Sequence, residues 1–307
     1  MNIGSVVSEI DHLPVMADEI VAALVRPEVE VFVDATLGLG GHTRRVLELS
    51  PRIRVIGLDV DPVNLAAAEN SLAEFAARIT LQRANFAELE EVLHALGTPH
   101  VGGILADLGV SSNQIAGPAK GLSFDVDGPL DMRLDDRLRT TAADLVNGLS
   151  EGELADLLYF QSQESGSRRI SKRICQARRH GRIQSTVQLA RLVASALGQD
   201  PDARRGRIHP ATRTFMALRM AVNQELDSLR QFLAQAPGVL QPGGRLAVIS
   251  FHSGEDRIVK EDFRRRANEG VYQLLTKKPM TARADEKERN PRSRSAKLRV
   301  VEKRRDT

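Results

Sequence analysis

The chain has 307 residues, of which 42% are hydrophobic and 27% are charged, a composition typical of a globular protein with one large or two smaller domains. No run of about 18 apolar residues is present and the N-terminus lacks a signal-peptide pattern, so we expect neither a transmembrane helix nor secretion. The single cysteine, Cys175, excludes an intrachain disulfide framework. Together these features predict a cytoplasmic protein.

The formal net charge of +3 is distributed unevenly along the chain. Residues 257–307 carry 17 lysines and arginines against 8 acidic residues, and Glu164–Arg182 carries seven basic residues against one glutamate. Basic blocks in acidic surroundings predict a polyanionic partner, although an ordinary solvated charged surface would give the same pattern. Aromatic residues make up only 4% of the chain, which argues against a broad base-stacking platform.

The N-terminal half alternates predicted strands with predicted helices. We expect strands at Glu30–Thr36, Arg54–Asp59, Ile79–Arg83 and Gly103–Leu108, and helices at Thr43–Leu49, Pro62–Phe75 and Ala87–Leu96. The strands are continuous apolar runs, which is typical of a parallel sheet covered by helices on both faces. The pattern therefore predicts an α/β fold.

The first strand–turn–helix unit carries the most informative motif of the chain. The strand ends at Asp34 and is followed by a turn rich in glycine, with Gly38, Gly40 and Gly41. Such glycines let a ligand approach the backbone at a helix N-terminus, where N–H groups have no partner within the helix. Asp59 follows about 20 residues later, where a carboxylate can accept both hydroxyls of a ribose. The pattern predicts a nucleoside ligand and leaves NAD, FAD and S-adenosylmethionine open.

The alternation stops near Ser111. Ser111–Arg139 is rich in Gly, Pro, Asp and Ser and is expected to form a long ordered loop. Helical patterns without intervening strands follow at Glu151–Phe160, Ser167–Arg179 and Thr186–Leu197. We therefore predict an inserted helical domain over residues 120–208, which would recognise the substrate, within a cofactor-binding domain formed by residues 1–119 and 209–307.

The sheet is expected to resume after the insert. Pro210–Ala236 has the apolar spacing of one long amphipathic helix, and a Pro-Gly-Gly turn leads into the next strand. The remaining predicted elements are a strand at Arg245–Phe251, a helix at Glu255–Ala267, short strands at Val271–Leu275 and Ala296–Glu302, and a charged loop at Asp285–Arg294.

Polar side chains stand at the carboxyl ends of five predicted strands. They are Asp34, Asp59, Asn85 with Phe86, Asp107 and His252 with Ser253. In open parallel sheets, ligands bind outside the carboxyl ends of the strands, so we expect these residues to gather at one edge.

Asp107 begins the motif Asp-Leu-Gly-Val-Ser-Ser, at a strand end where enzymes that methylate exocyclic amines place a polar motif. An acceptor there can take the hydrogens of the amine so that its lone pair faces the methyl carbon. Asp107 could instead contact the cofactor or cap the next turn. Phe86 could flank an adenine or belong to the core, and His252 could bind a base or a phosphate or be structural.

Metal chemistry and cysteine nucleophilic catalysis are not predicted. The seven histidines include no pair with a metal-ligand spacing such as His-x-x-x-His, and Cys175 lies among basic residues on a predicted helix away from the sheet. Methylation at carbon 5 of a pyrimidine normally requires a cysteine, whereas methylation at an exocyclic nitrogen does not. Arg204–Arg213 and Asn290–Lys297 are short basic loops suited to phosphate oxygens, or are ordinary surface charge.

Taken together, the motifs resemble those of the bacterial ribosomal RNA small-subunit methyltransferase H family. The matching segments span nearly the whole chain: His12–Val15, Asp34–His42, Asp59–Pro62, Asp107–Ser112, Gly128–Arg133, His209–Phe215, Val222-Asn223, Ile249–Ser253 with Glu255–Arg257, and Asn290–Arg299. The combination is specific, although no single motif is.

The resemblance implies a Rossmann-like class I methyltransferase with a parallel sheet and an inserted small helical domain. It implies S-adenosylmethionine as cofactor, 16S rRNA of the small ribosomal subunit as partner, and methylation at N4 of one cytosine near the P site. The implied cofactor contacts are Gly40, Gly41 and His42 for the methionine part, Asp59 for the ribose, Phe86 for the adenine, and Asp107 and Gln114. Our hypotheses for handling the target amine are Asp107, Asn223 and His252.

Four segments depart from the family pattern. The insert reads Gln161-Ser-Gln-Glu164 where the family has a Tyr-Gly-Glu-Glu-like stretch, and the other departures lie at Lys120–Phe124, Gln114–Ala116 and His252–Asp256. They fall on the expected RNA side. The alternatives are a divergent member that methylates another RNA, DNA or small-molecule amine, and a non-catalytic RNA-binding assembly factor, with a nicotinamide dehydrogenase as a weaker one.

Overall fold

The computed structural model describes residues 13–200 and 209–305. The chain divides into two compact units, which we call the sheet unit (Met1–Val110 with Asp227–Thr307) and the helical unit (Ser111–Leu226). The helical unit begins before residue 120 and continues past residue 208, the bounds predicted for the insert. The helical unit extends past residue 208 because the helix after His209 packs into the core of this unit.

The sheet unit contains a seven-stranded sheet of order β3-β2-β1-β4-β5-β7-β6. The strands are β1 (Val31–Asp34), β2 (Arg54–Asp59), β3 (Ile79–Arg83), β4 (Val101–Asp107), β5 (Leu240–Ser250), β6 (Tyr272–Leu274) and β7 (Lys297–Lys303). Strands β1 to β5 are parallel, as predicted, but β7 runs antiparallel to both of its neighbours, so the sheet is mixed. The strand order reverses between β1 and β4, which places a crevice at their carboxyl ends.

Helices cover both faces of the sheet, as the continuous apolar strands indicated. The helices of this unit are α1 (Ala17–Leu24), α2 (Gly41–Leu49), α3 (Pro62–Ser71), α4 (Leu89–Ala95), α11 (Glu225–Val239, which belongs to the unit from Asp227), α12 (Ser253–Asn268) and α13 (Ala284–Arg289). Alternate residues along β4 enter different cores, with Ile104 packed beneath α4, α11 and α12 and Leu105 beneath α1 and α2.

The helical unit packs its helices around a core of its own, which includes Leu158, Ile170, Leu189 and Leu218. Its helices are α5 (Ser112–Ala116), α6 (Ala142–Gly148), α7 (Glu151–Ser162), α8 (Ser167–Ala177), α9 (Thr186–Leu197) and α10 (Thr212–Val222). No helix within residues 13–200 and 209–305 is long and apolar enough to cross a bilayer.

Three predicted elements were wrong in form. The long helix over 210–236 is two helices, α10 and α11, because Gln224 adopts a left-handed conformation with φ of 51° and ends the regular backbone. The charged loop at 285–294 contains α13 followed by a 3-10 turn, Pro291–Ser295. The predicted Pro-Gly-Gly turn lies within β5 as a break in register, where Gly243 has φ of 80°.

Candidate active site

The glycine turn joins β1 to α2 at the carboxyl edge of the sheet. Gly38 and Gly40 have φ of 54° and 82°, and a Cβ on Gly40 would lie 2.8 Å from Cδ1 of Leu72. Glycine is therefore required at position 40 for both conformation and space. Because Gly40 is the N-cap and has no side chain, the first turn of α2 presents backbone N–H groups and the positive end of its dipole to this edge.

Asp34, at the end of β1, braces this turn from inside the fold. It is 1% exposed, and its Oδ2 accepts a hydrogen bond of 2.8 Å from the hydroxyl of Thr43 in α2. Burial raises the pKa of the Asp34 carboxyl, against the opposing effects of His42 and Thr43. The geometry gives Asp34 the role of fixing α2 against β1.

Asp59, at the end of β2, faces the same turn. Its Oδ2 accepts from the backbone N–H of Gly38 at 2.9 Å and from the side-chain amide of Asn64 at 3.1 Å, and its Oδ1 accepts from the N–H of Asp61 at 2.8 Å. Burial raises the pKa of Asp59 to about 6 in spite of these donors. The carboxyl is thus held rigidly beside the glycine turn, where a ligand hydroxyl would meet an oriented acceptor.

His42, which is buried, and Asp107, which is half-buried, form a pair between α2 and the end of β4. His42 Nε2 lies 3.4 Å from Asp107 Oδ2, and His42 is only 7% exposed. Burial alone lowers the pKa of His42, but the carboxylates of Asp107 and Asp34 outweigh burial and the charge of Arg292, and the pKa is raised. Within residues 13–200 and 209–305, three atoms of this pair have no hydrogen-bond partner: both ring nitrogens of His42, and Oδ1 of Asp107.

Asp107 is itself fixed by its backbone. Its N–H donates to the hydroxyl of Thr36 at 2.6 Å, which ties the end of β4 to the start of the glycine turn. The next residue, Leu108, donates to the carbonyl of Ile249 in β5. The Asp107 carboxylate, half-buried at the crevice, therefore has a defined position between β1 and β5.

His252, after β5, serves as the N-cap of α12. Its Nδ1 accepts from the backbone N–H groups of Gly254 and Glu255 at 3.2 and 3.4 Å, which requires the ring proton on Nε2. Glu255, 3% exposed, reciprocates by accepting from the N–H groups of Phe251 and His252. Sequence reasoning missed Glu255, although its place three residues after His252 is the spacing of a capping box.

Phe86 begins a 3-10 turn after β3, next to the N-cap Asn85. Its ring meets that of Phe232 edge to face, with centroids 5.6 Å apart, and it is partly buried against the core beneath α11. The structure therefore gives Phe86 a packing role, and its contact with an adenine stays a prediction.

Two predicted site residues belong to the helical unit. Gln114 is buried and accepts from the N–H of Ser111 at 3.0 Å, as part of the cap of α5. Asn223 accepts from the N–H of Leu134 and donates to the carbonyls of Met132 and Arg219, each at 2.8 Å. These bonds give Asn223 a structural role, and its part in handling an amine stays a hypothesis.

Of the two predicted basic loops, the first lies only partly within the described residues and the second lies wholly within them. Arg204–Arg207 lies outside the described residues, as does His12. Asn290–Lys297 is ordered in the sheet unit, where Arg292 donates to the carbonyl of Val110 at 3.1 Å and Asn290 donates to that of Leu13 at 3.0 Å. Cys175 is buried in α8, and the described part of the chain contains no group of three His, Cys, Asp or Glu side chains placed to hold a metal ion.

The chain was compared with known proteins. A protein from Sorangium cellulosum named ribosomal RNA small subunit methyltransferase H is 51% identical over 94% of this chain and 90% of its own length. A protein of the same name from Syntrophobacter fumaroxidans is 46% identical over 96% and 97%. A solved rRNA methylase from Streptococcus thermophilus aligns over 94% of both chains at 13% identity and a TM-score of 0.40, too distant to add to the assignment.

The family model described as the MraW methylase family matches residues 9–304, which include both units of the fold. Together with relatives above 40% identity over nearly the full length, this match shows that the chain belongs to the MraW methylase family.

Proposed function

We propose that this protein transfers a methyl group from S-adenosylmethionine to N4 of a cytosine in small-subunit rRNA, near the P site. The observation that carries the proposal is that β2, β1 and β4 are neighbours in the sheet. Their carboxyl ends bring Asp59, the glycine turn and Asp107 to one edge. Family membership and the names of the relatives supply the reaction class and the RNA substrate.

The residues at this edge fit the cofactor. Buried polar atoms are normally hydrogen-bonded, so the two nitrogens of His42 and Asp107 Oδ1, which lack partners in the described parts of the chain, favour a polar ligand beside them. Gly40 and Gly41 would border its methionine part, Asp59 would accept from its ribose hydroxyls, and Phe86 would lie near its adenine. When bound, S-adenosylmethionine supplies a methyl group already activated by its sulfonium.

The chain's own part in the reaction is orientation and proton handling. Asp107 would accept hydrogen bonds from the exocyclic amine and so direct the nitrogen lone pair at the methyl carbon. After transfer the nitrogen carries one proton too many, and the Asp107 carboxylate would accept it. His42, whose Nε2 lies 3.4 Å from Asp107 Oδ2, would help to keep that carboxylate oriented. His252 and Asn223 remain further hypotheses for contacts with the amine.

RNA binding is proposed for the helical unit and the basic C-terminal region. On α8, the side chains of Arg168, Arg169, Lys172 and Arg173 are exposed to solvent, in line with the basic stretch that the sequence indicated. Their charges would neutralise phosphates, so affinity for RNA should fall as salt concentration rises. We propose that the helical unit recognises the substrate.

The test is a transfer assay with tritiated S-adenosylmethionine on purified 30S subunits, free 16S rRNA and DNA, followed by nucleoside analysis. We expect label in N4-methylcytosine from a ribosomal substrate only. Label in DNA or in another nucleoside would favour a divergent methyltransferase. Calorimetry that shows cofactor binding without turnover on any of these substrates would favour a non-catalytic assembly factor.

A further inference from the structure

The start of the described chain contacts the C-terminal region beside the glycine turn. We call Leu13–Met16 the N-terminal strap. The carbonyl of Leu13 accepts from the side-chain amide of Asn290 at 3.0 Å, and the N–H of Met16 donates to Glu286 Oε1 at 2.8 Å. Residues separated by 270 and 277 positions are thus joined by two side-chain hydrogen bonds to the backbone of the strap.

The strap lies directly on the cofactor turn. The ring of Pro14 would be 3.4 Å from a Cβ placed on Gly41, so Pro14 packs against the first residue of α2. Val15 and Met16 are buried in the core beneath α1 and α2, and Met16 holds a left-handed φ of 54°. Because that conformation is disfavoured for a methionine, surrounding contacts must hold it, and Glu286 bonds the N–H of this residue.

The segment around Asn290, which binds the strap, also contacts the loop that follows β4. Asn290 accepts from the N–H of Arg292, and the buried hydroxyl of Ser293 donates to the Asn290 carbonyl at 2.8 Å. Arg292 then donates to the carbonyl of Val110, three residues beyond Asp107. One 3-10 turn therefore connects the strap over Gly41 with the loop that follows Asp107.

We propose that Asn290 and Glu286 are positioning residues for the cofactor site. They hold the N-terminal strap against Gly41 and thereby keep the first turn of α2 in the geometry that binds S-adenosylmethionine. The inference rests on the proposed function and deepens it, since it assigns to the C-terminal region a role in cofactor affinity separate from phosphate binding. Neither side chain needs to touch the cofactor.

The test uses two pairs of substitutions in the full chain. Asn290→Asp keeps an oxygen that can accept from Arg292 but removes the donor to Leu13, whereas Asn290→Ala removes both. Glu286→Gln keeps an acceptor for the N–H of Met16, whereas Glu286→Ala removes it. Arg289→Ala is the matched control, because Arg289 is exposed on α13 and pairs only with exposed Asp285 in the described structure.

We expect Asn290→Asp, Asn290→Ala and Glu286→Ala to weaken S-adenosylmethionine binding by about 3-fold to 30-fold, because a strap held by one bond fewer leaves a smaller fraction of molecules competent to bind. Glu286→Gln and Arg289→Ala should bind like the original chain. At saturating cofactor the kcat of the Asn290 and Glu286 variants should be nearly unchanged, so the effect falls on the KM for S-adenosylmethionine. In Glu286→Ala, the Met16 amide should exchange its hydrogen faster.

Several outcomes would overturn the inference. If the original chain binds S-adenosylmethionine and Asn290→Asp binds it equally well, the strap bond is irrelevant while the proposed function stands. If Glu286→Gln is as impaired as Glu286→Ala, the Met16 bond is not the cause. If the original chain binds no S-adenosylmethionine, the proposed function fails and the inference with it. Thermal unfolding of each variant shows whether it remains folded. Asn290→Asp, which keeps the acceptor for Arg292 in the 3-10 turn, then decides whether the bond to Leu13 affects cofactor binding.

Discussion

Two buried polar side chains, His42 in the sheet unit and Asn223 in the helical unit, differ in how their hydrogen-bonding groups are used. They are 7% and 9% exposed. Asn223 is bonded to three backbone groups, whereas neither ring nitrogen of His42 has a hydrogen-bond partner in the described parts of the chain. Under the proposed function, the difference separates a residue that completes the fold from one that would meet the cofactor, although both were predicted as site residues for different reasons.

The largest effect is expected at Asp107, whose Oδ1 has no hydrogen-bond partner in the described parts of the chain. Asp107→Asn replaces a carboxylate that accepts hydrogens and a proton by an amide that cannot take the proton. We expect the single-turnover rate of methyl transfer, at saturating cofactor, to fall by about 100-fold or more. If Asp107→Asn and His252→Ala both keep the full rate, the assignment of amine handling to this edge is wrong.

The comparison predicts a different outcome for Asn223. Asn223→Ala leaves the N–H of Leu134 and the carbonyl of Met132 without the side-chain amide, while the carbonyl of Arg219 keeps the backbone N–H of residue 223, so the free energy of unfolding should fall by about 2 kcal/mol. Urea unfolding followed by circular dichroism measures this loss. Unchanged stability combined with lost methyl transfer would reverse our interpretation and make Asn223 a residue of the reaction.

A smaller loss is expected at the glycine turn. Gly40→Ala forces a left-handed φ on alanine and brings its Cβ within 2.8 Å of Leu72, so we expect about 1.5 kcal/mol of destabilisation together with weakened cofactor binding. Gly41→Ala is the matched control for stability, since its nearest neighbour would be Pro14 at 3.4 Å. Equal stability of the two variants would show that the turn is not constrained as described.

The smallest effect concerns pH. The pKa of Asp59 is raised from 3.8 to about 6, so its contribution to stability is fully present below pH 3.8 and is lost as pH rises to about 6. Cofactor affinity should change in the opposite direction, because the ionised carboxylate is the better acceptor for ribose hydroxyls. We expect binding about tenfold weaker at pH 5 than at pH 7.

Calorimetric titrations between pH 5 and pH 8 measure this dependence, and Asp59→Asn serves as the control. In that variant the part of the pH dependence centred near 6 should disappear. If it persists, the titrating group is His42 or another residue, and the role of Asp59 in binding ribose loses its support.

The sequence predicted the part of the fold that depends on local pattern. Strands β2 and β3 have the predicted bounds, because each is a short run bounded by polar residues, and the glycine turn was visible because only glycine suits its backbone at position 40. The carboxyl-edge positions of Asp59 and Asp107 followed from the predicted parallel order. These features required no knowledge of distant contacts.

The features of the fold and the site that the sequence did not predict depend on tertiary contacts. The antiparallel direction of β7 follows from its pairing with β5, and the end of α10 from side-chain bonds of Asn223 to a loop some 90 residues earlier. The bonds from Asn290 and Glu286 to the N-terminal strap join residues 277 and 270 positions apart, which no local pattern indicates. The capping role of His252 was missed for another reason, since histidine is not a common N-cap residue.

The most direct test of the central claim is the imidazole spectrum of His42. We predict that adding S-adenosylmethionine to protein labelled with ¹⁵N in its histidines shifts the ring resonances of His42, identified by their loss in His42→Gln, and leaves those of His209 in the helical unit unchanged. NAD should produce no such shift. Saturation with S-adenosylmethionine without any change at His42 would contradict the account, because the open hydrogen-bonding groups at the glycine turn would then not belong to a cofactor site.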